Sequence, residues 1–307
     1  MSLPQPSLQG GICMKKYLFI LLMLFTLPFR EGTGLGLYAA ITTEQEQQFK
    51  YYWYAARQAI EEERYADAYV LLEFCHALNP DDASTVQFLG LMYQAMGQDE
   101  KAMDYFEQAY KLAPNDYWRS YLDTRKRQFL EQGNWEMVLK TQDEIDRHQP
   151  YDGYSAYLRY TIYAAQKKYK KAFAALDKYL EKDPDNLRFL MLRLELMEQT
   201  KTKQKDLYAM YERILEIDPY NLSTLNNYAY HLATHKGDLQ KAERMSAITI
   251  REEPNNPVYL DTYAWILYKQ GQNDLALFFL ARAWDCAFDD RTKEEIANHI
   301  KQVKSKK

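Results

Sequence analysis

The chain has 307 residues, 47% hydrophobic and 27% charged, with a mean hydropathy of -0.58. This composition supports a substantial buried core and excludes a disordered chain, and eleven glycines and ten prolines are too few for a collagen-like or low-complexity protein. Three cysteines exclude a disulfide scaffold, and the net charge of -4 argues against a general basic surface for nucleic acid.

The first forty residues have the profile of an export signal. Lys15 and Lys16 precede an apolar run over residues 17–29, which is shorter than the roughly 20 apolar residues that span a bilayer. The pattern places the start of translation at Met14 and predicts that residues 1–40 are an N-terminal extension and a signal peptide. We therefore expect an exported bacterial protein, periplasmic or membrane-associated, that meets the membrane only peripherally or through an uncleaved signal anchor.

Six prolines recur with a period of about 34 residues. They lie 34, 36, 34, 35 and 35 residues apart, at Pro80, Pro114, Pro150, Pro184, Pro219 and Pro254, and one further step reaches Phe288. Residues 41–288 are therefore predicted to form seven tandem repeats, followed by a capping helix and basic tail over residues 289–307. Polar residues one or two places after the prolines are predicted helix N-caps: Asp82, Asn115, Asp152, Asn186, Asn221 and Asn256.

Small residues repeat in register with the prolines. The six prolines and Phe288 mark the ends of the seven repeats. Glycine stands seventeen residues before four of these marks, at Gly97, Gly133, Gly237 and Gly271, and alanine stands twelve residues before five of them. A glycine in mid-repeat ends one helix and begins a tight turn, whereas the proline stops the second helix. Each repeat is therefore predicted to be a helical hairpin whose small residues let a neighbouring helix approach closely.

The second repeat resembles the tetratricopeptide repeat family. The residues that carry the resemblance are Leu89, Gly90, Tyr93, Gly97, Ala102, Phe106, Ala109 and Pro114. The resemblance implies an all-α fold, a right-handed α-solenoid of about seven hairpins plus the capping helix. It also implies a non-catalytic scaffold for protein–protein interaction that needs no cofactor.

Two repeats depart from the family pattern. Repeat three has Arg125 and Lys126 where a small and a large apolar residue are expected. Repeat five replaces the turn glycine with the polar stretch 200–205. We expect a bend or looser packing at both places.

The first helix of each repeat is expected to line the concave side of the solenoid. Its core stripe occupies repeat positions 4, 7, 8 and 11, so positions 2, 5, 9 and 12 form a face that the second helix does not cover. In the family this face binds peptides, and here it mixes aromatic and hydrogen-bonding side chains. The residues predicted to bind a peptide or helix of a partner protein are Trp53, Arg57, Gln87, Gln94, Asp123, Arg127, Tyr154, Tyr157, Thr161, Asn227, His231, Asp261, Trp265 and Tyr268.

Some side chains on this face have an alternative role in the interior. For Trp53 and Trp265 the sequence leaves binding and packing open, whereas Phe189, Leu192 and Leu196 are expected to pack, since an exposed apolar patch would be a liability. The family's carboxylate clamp, which grips the acidic end of cytosolic chaperones, uses lysine and asparagine in the first repeat. Trp53 and Arg57 occupy those positions, so this ligand is not supported.

Two other functions stay open. His231 and His235 stand four residues apart, a spacing used by metal-binding helices, and they are a weak candidate metal site for an enzyme. Leu232 follows His231 where zinc proteases have glutamate, and no third ligand can be assigned. Tyrosine and tryptophan faces also suit sugar rings, so glycan binding or polysaccharide export is the alternative to a protein partner. A nucleic-acid partner is not expected.

Overall fold

The structure is a computed structural model that describes residues 42–200 and 202–305. The predicted signal segment, residues 1–40, lies outside these residues. All regular secondary structure in the described part is α-helical, and its fifteen helices are Thr43–Glu61 (α1), Tyr65–Leu78 (α2), Ala83–Ala95 (α3), Asp99–Leu112 (α4), Pro114–Glu131 (α5), Trp135–His148 (α6), Gly153–Ala165 (α7), Tyr169–Leu180 (α8), Leu187–Gln199 (α9), Gln204–Ile217 (α10), Leu222–Thr234 (α11), Leu239–Glu252 (α12), Pro257–Lys269 (α13), Asn273–Cys286 (α14) and Asp290–Ser305 (α15).

Helices α1 to α14 pair into seven hairpins and α15 packs against the last of them, which confirms the predicted all-α repeat fold. The chain divides into two compact units, one ending at Tyr151 and the other beginning at Asp152. The first unit contains the hairpins α1–α2, α3–α4 and α5–α6. The second contains α7–α8, α9–α10, α11–α12 and α13–α14, together with α15. No helix among the described residues combines the length and the apolar character needed to cross a membrane.

Polar caps begin most of the hairpins. The side chains of Asp82, Asp152, Asn186 and Asn221 each accept a hydrogen bond from the backbone N–H three residues ahead, and Asn256 caps α13 in the same way. The prediction for Asn115 is wrong, because α5 begins at Pro114 itself, one residue earlier. Proline suits the first helical position, where its missing N–H would have no partner in the helix.

The mid-repeat turns depend on one residue with a left-handed backbone. Gly97, Gly133 and Gly271 have φ of +71°, +66° and +86°, as the glycine pattern predicts. Glu63 and Lys167 take the same place in repeats one and four, with φ of +59° and +56°. The left-handed turn therefore recurs in more repeats than the turn glycine does, and Glu63 and Lys167 are among the side chains that bear the steric cost of this conformation.

Repeat six differs from the prediction at its turn. The left-handed residue is Lys236, with φ of +57°, instead of Gly237. Gly237 lies against the end of α11, where an added Cβ would come within 2.6 Å of Leu232 Cδ2. The glycine is needed there for close approach.

The small-residue column lies in the core of both units. The five alanines twelve residues before the repeat marks have no exposed surface: Ala68, Ala102, Ala172, Ala242 and Ala276. Gly90 on α3 has the same role from the other side of its hairpin, since an added Cβ would lie 2.7 Å from the Phe106 ring of α4. These contacts bring the helices of each hairpin close together.

The two unusual repeats are built differently. In repeat three Lys126 is buried, and its Nζ donates to Gln142 Oε1 at 3.1 Å and lies 3.3 Å from Asp123 Oδ1, so a polar contact joins α5 to α6. In repeat five α9 and α10 make fewer contacts with each other than the helices of any other hairpin, and a cleft of about 510 Å³ opens beside them near Met197 and Met210. Looser packing at repeat five is thereby confirmed.

Candidate functional site

The fourteen residues predicted to bind a partner differ widely in exposure. Four of them are buried: Trp53 (6% exposed), Gln87 (3%), Trp265 (6%) and Tyr268 (8%). For Gln87 and Tyr268 the predicted place on an open surface is wrong, whereas for Trp53 and Trp265 the structure shows packing, one of the two roles that the sequence left open. Five others are exposed, namely Asp123, Arg127, Tyr154, Tyr157 and Thr161, and five are half-buried, namely Arg57, Gln94, Asn227, His231 and Asp261.

In the first unit, neighbouring first helices cover two residues of the predicted face, Trp53 and Gln87. Trp53 on α1 stacks with Phe49 at 6.4 Å between ring centroids and meets the edge of Phe88 on α3 at 5.4 Å. Gln87 on α3 donates from Nε2 to Ser120 Oγ on α5 at 2.6 Å. These side chains therefore join one repeat to the next instead of facing solvent.

In the last repeat, the C-terminal helix α15 covers the predicted face. His299 of α15 stacks on Trp265, with ring centroids 4.2 Å apart, and its Nδ1 lies 2.9 Å from each carboxylate oxygen of Asp261. Tyr268 and Lys269 pack on the same indole. The chain's own helix thus fills this part of the predicted binding face.

The two histidines considered as a metal site lie side by side. Their rings stack 4.9 Å apart, and His235 Nδ1 lies 3.1 Å from the backbone oxygen of His231. Burial and the neighbouring His235 lower the pKa of His231. Within residues 42–200 and 202–305, no group of three or more His, Cys, Asp and Glu side chains is placed to hold a metal ion.

An open groove of about 550 Å³ lies between α9 and α11, the first helices of repeats five and six. We term it the α9–α11 groove. Its lining residues are Leu187, Arg188, Met191, Leu192, Leu194, Glu195, Glu198, Ser223, Thr224 and Asn227. Of the fourteen predicted residues, Asn227 alone lines it. Phe189 and Leu196 pack in the interior as expected, whereas Leu192 is half-buried and lines the groove.

Sequence reasoning missed Glu195 and Glu198 because it assigned their repeat positions to the core stripe. Glu195 stands twenty-four residues before Pro219, the place that Gly90 occupies relative to Pro114. A charged residue at a repeat position that holds glycine in repeat two was the available signal. Tyr160 stands at the same repeat position in repeat four, and it contacts Glu195 directly.

The two carboxylates are fixed by side chains from four helices. Tyr160 Oη of α7 donates to Glu195 Oε2 at 3.0 Å, and Gln199 Nε2 donates to its other oxygen at 3.2 Å. Glu198 Oε1 accepts hydrogen bonds from Tyr211 of α10 and, at 3.2 Å, from Asn227 Nδ2 of α11. Consecutive repeats therefore hold the acidic part of the groove in one conformation.

The tyrosine donors stay protonated at physiological pH. Burial raises the pKa of Tyr160 and Tyr211 far above the usual range, and the hydrogen bonds that they donate to Glu195 and Glu198 raise it further. At the other end of the groove, the guanidinium of Arg188 lies 4.9 Å from the ring centre of Tyr157. The groove thus presents fixed acceptors at one end and a cation at the other, an arrangement suited to binding.

The second hairpin of the chain matches a known repeat family. Residues 83–116, which include all of α3 and α4, match the family model of the tetratricopeptide repeat. No match to the chain was found among curated proteins. Among solved structures, the chain is similar to a tetratricopeptide repeat protein from Parabacteroides merdae, with 15% identity, a TM-score of 0.40 and coverage of 84% of this chain and 99% of that one.

Two further solved structures are similar. One is the C-terminal part of a TPR repeat-containing protein from Cytophaga hutchinsonii, with 19% identity, a TM-score of 0.47 and coverage of 71% of this chain and 98% of that one. The other is yeast Tom70, with 13% identity, a TM-score of 0.46 and coverage of 95% of this chain and 72% of that one.

The tandem hairpins with a buried small-residue column define an α-helical repeat protein. The family match makes one hairpin specific: residues 83–116 match the tetratricopeptide repeat, as the sequence resemblance implied. Proteins with this repeat are typically non-catalytic scaffolds for protein–protein interaction.

Proposed function

We propose that this protein is a non-catalytic scaffold that binds a peptide or helix of a partner protein in the α9–α11 groove. The observation that carries the proposal is the groove itself, an open space between two first helices whose polar side chains are already fixed. Holding Glu198 and Asn227 in place before binding lowers the entropy cost of association.

The groove contrasts with the surroundings of the two tryptophans of the predicted face. Phe88 covers Trp53 in the first unit, and His299 covers Trp265 in the last repeat. Met191 and Leu192 are instead half-buried, and they line the α9–α11 groove, which is open to side chains of a partner. Apolar walls with a few placed polar groups are the usual composition of a binding site.

The contacts of the aromatic side chains near the groove favour a protein partner over a glycan. A sugar ring stacks on a free aromatic face, whereas Arg188 lies over Tyr157, the exposed tyrosine beside the groove. The groove lining itself contains no aromatic residue. Its amide, hydroxyl and carboxylate groups suit the donors of a peptide.

We also propose that the chain is exported to the bacterial cell envelope. The support is the sequence of residues 1–40, in which a basic pair precedes a short apolar run. Expression of the full chain with a C-terminal tag, fractionation and N-terminal sequencing test this proposal. A product recovered in the cytoplasm with its N-terminus intact would contradict it.

Selection from a library of random displayed peptides, using the full chain as the target, tests the groove. Leu192→Arg fills the groove from α9 and Ser223→Trp fills it from α11, so each variant is expected to weaken binding of the selected peptides at least about tenfold. Leu275→Arg is the matched control, because Leu275 is exposed on α14 outside the groove. Circular dichroism checks that all variants fold. Peptides that bind all variants equally well, or a selection that yields none, would overturn the proposal.

A further inference from the structure

The charges of the α9–α11 groove specify the chemistry of its partner. We infer that the bound segment carries one lysine or arginine side chain, flanked by apolar residues, which lies against Glu195 and Glu198. This inference rests on the proposed function, because it concerns the same groove.

The negative charge of the two carboxylates is not neutralised within the described part of the chain. Their hydrogen-bond donors are the neutral side chains of Tyr160, Gln199, Tyr211 and Asn227, and neither glutamate forms an ion pair there. Two fixed negative charges facing an open groove favour a cationic ligand.

Both carboxylates also keep unused acceptor capacity. Each ionised carboxylate accepts about four hydrogen bonds. Glu195 accepts one at each oxygen, whereas both hydrogen bonds to Glu198 go to Oε1. Because the two glutamates stand three residues apart on α9, they share one side of the helix and can both contact a single ammonium or guanidinium group.

The apolar lining fits the rest of such a side chain. Leu187, Met191 and Leu192 lie on the same helix as the glutamates and are half-buried in the groove wall. The methylene groups of lysine or arginine pack on surfaces of this kind while the charged end reaches a polar partner. The flanking residues of the bound segment are expected to be apolar for the same reason.

Arg188 restricts the charge of the partner further. It stands seven residues before Glu195 on α9, which places it about 10 Å along the helix axis. A run of basic residues along the groove would bring like charge against this guanidinium. The groove therefore selects an isolated cation over a polybasic segment.

The experiment uses library peptides whose binding is lost in Leu192→Arg and Ser223→Trp. In each synthetic peptide every lysine or arginine is replaced in turn by glutamine, and affinities are measured by fluorescence anisotropy with the full chain. One replacement is expected to weaken binding about tenfold. The double variant Glu195→Gln/Glu198→Gln should weaken binding of the parent peptide by a similar factor and leave the glutamine peptide nearly unaffected. Added salt should weaken the parent peptide more than the glutamine peptide.

Glu294→Gln is the charge-matched control, because Glu294 is exposed on α15. Groove-dependent peptides that need no basic residue, or that bind the double variant as tightly as the natural chain, would overturn the inference and leave the proposed function standing. A selection with no groove-dependent peptide would overturn both.

Discussion

The imidazole of His299 lies on the indole of Trp265, with ring centroids 4.2 Å and planes 25° apart. The same imidazole reaches Asp261 through Nδ1, so one side chain of α15 contacts an aromatic and an acidic residue of α13. The first helix of the last repeat, α13, is covered in this way, as terminal repeats require.

His299→Ala is therefore expected to destabilise the second unit by about 1–2 kcal/mol, since it removes the ring stack and leaves Asp261 without this partner. Urea denaturation followed by circular dichroism measures the change. Asn298→Ala, on the exposed side of the same helix, should stay within about 0.5 kcal/mol of the natural chain. Equal effects of the two variants would show that the His299 contacts do not stabilise the helix.

Lys167→Gly is expected to stabilise the protein by up to about 1 kcal/mol. Lys167 has φ of +56°, a conformation that costs a side chain roughly 1–2 kcal/mol and glycine almost nothing. Ala174→Gly, at an exposed site in the middle of α8, should destabilise by about 1 kcal/mol because glycine is a poor helix former. Thermal denaturation compares the two variants, and effects of the same sign would contradict the prediction.

Stability should fall on the alkaline side because of buried phenols. Burial raises the pKa of Tyr105 to about 12, with Glu73 and Tyr93 nearby adding to the shift. Because this value lies above that of the unfolded chain, about 10, the stabilisation is complete below pH 10 and is lost as the pH rises toward 12.

Tyr105→Phe should reduce this loss, measured as the free energy of unfolding at neutral pH and at about pH 11. Tyr51→Phe serves as the control, since Tyr51 is exposed on α1. An alkaline loss of the same size in Tyr105→Phe and the natural chain would count against the assignment.

Cys75 should not react with thiol reagents in the folded protein. It is fully buried in the first unit, and burial raises the pKa of its thiol to about 12, so almost no thiolate forms at neutral pH. Maleimide labelling followed by peptide mass analysis is expected to modify Cys75 only after denaturation. Labelling of Cys75 under native conditions would show that the hairpin α1–α2 opens.

The repeat architecture could be predicted from the sequence because the residues that end its helices and let them pack closely act locally. A proline stops a helix and an alanine permits close packing wherever they stand, so the period of Pro80, Pro114 and the later prolines locates the hairpins. The left-handed turns at Glu63 and Lys167 could not be predicted in this way. Their conformation is imposed by the surrounding hairpin, against the preference of the residue.

The candidate site was predicted less well because a helix face does not reveal what covers it. Trp53, Trp265 and Tyr157 occupy similar faces of their helices, yet Phe88 covers the first, His299 covers the second and the third is exposed. Which face stays open depends on contacts between residues about 35 positions apart, such as Tyr160 with Glu195. The hydrophobic pattern of one helix contains no information on such partners.

The hydrogen bonds around Glu195 and Glu198 also determine how many hairpins must be transferred to rebuild the groove in another protein. Their donors come from α7, α9, α10 and α11, so repeat five transplanted alone into another scaffold would keep Gln199 and Tyr211 but lose Tyr160 and Asn227, one hydrogen-bond donor of each carboxylate. A recipient protein would have to receive three consecutive hairpins, α7 through α12, to inherit the groove with its carboxylates in position.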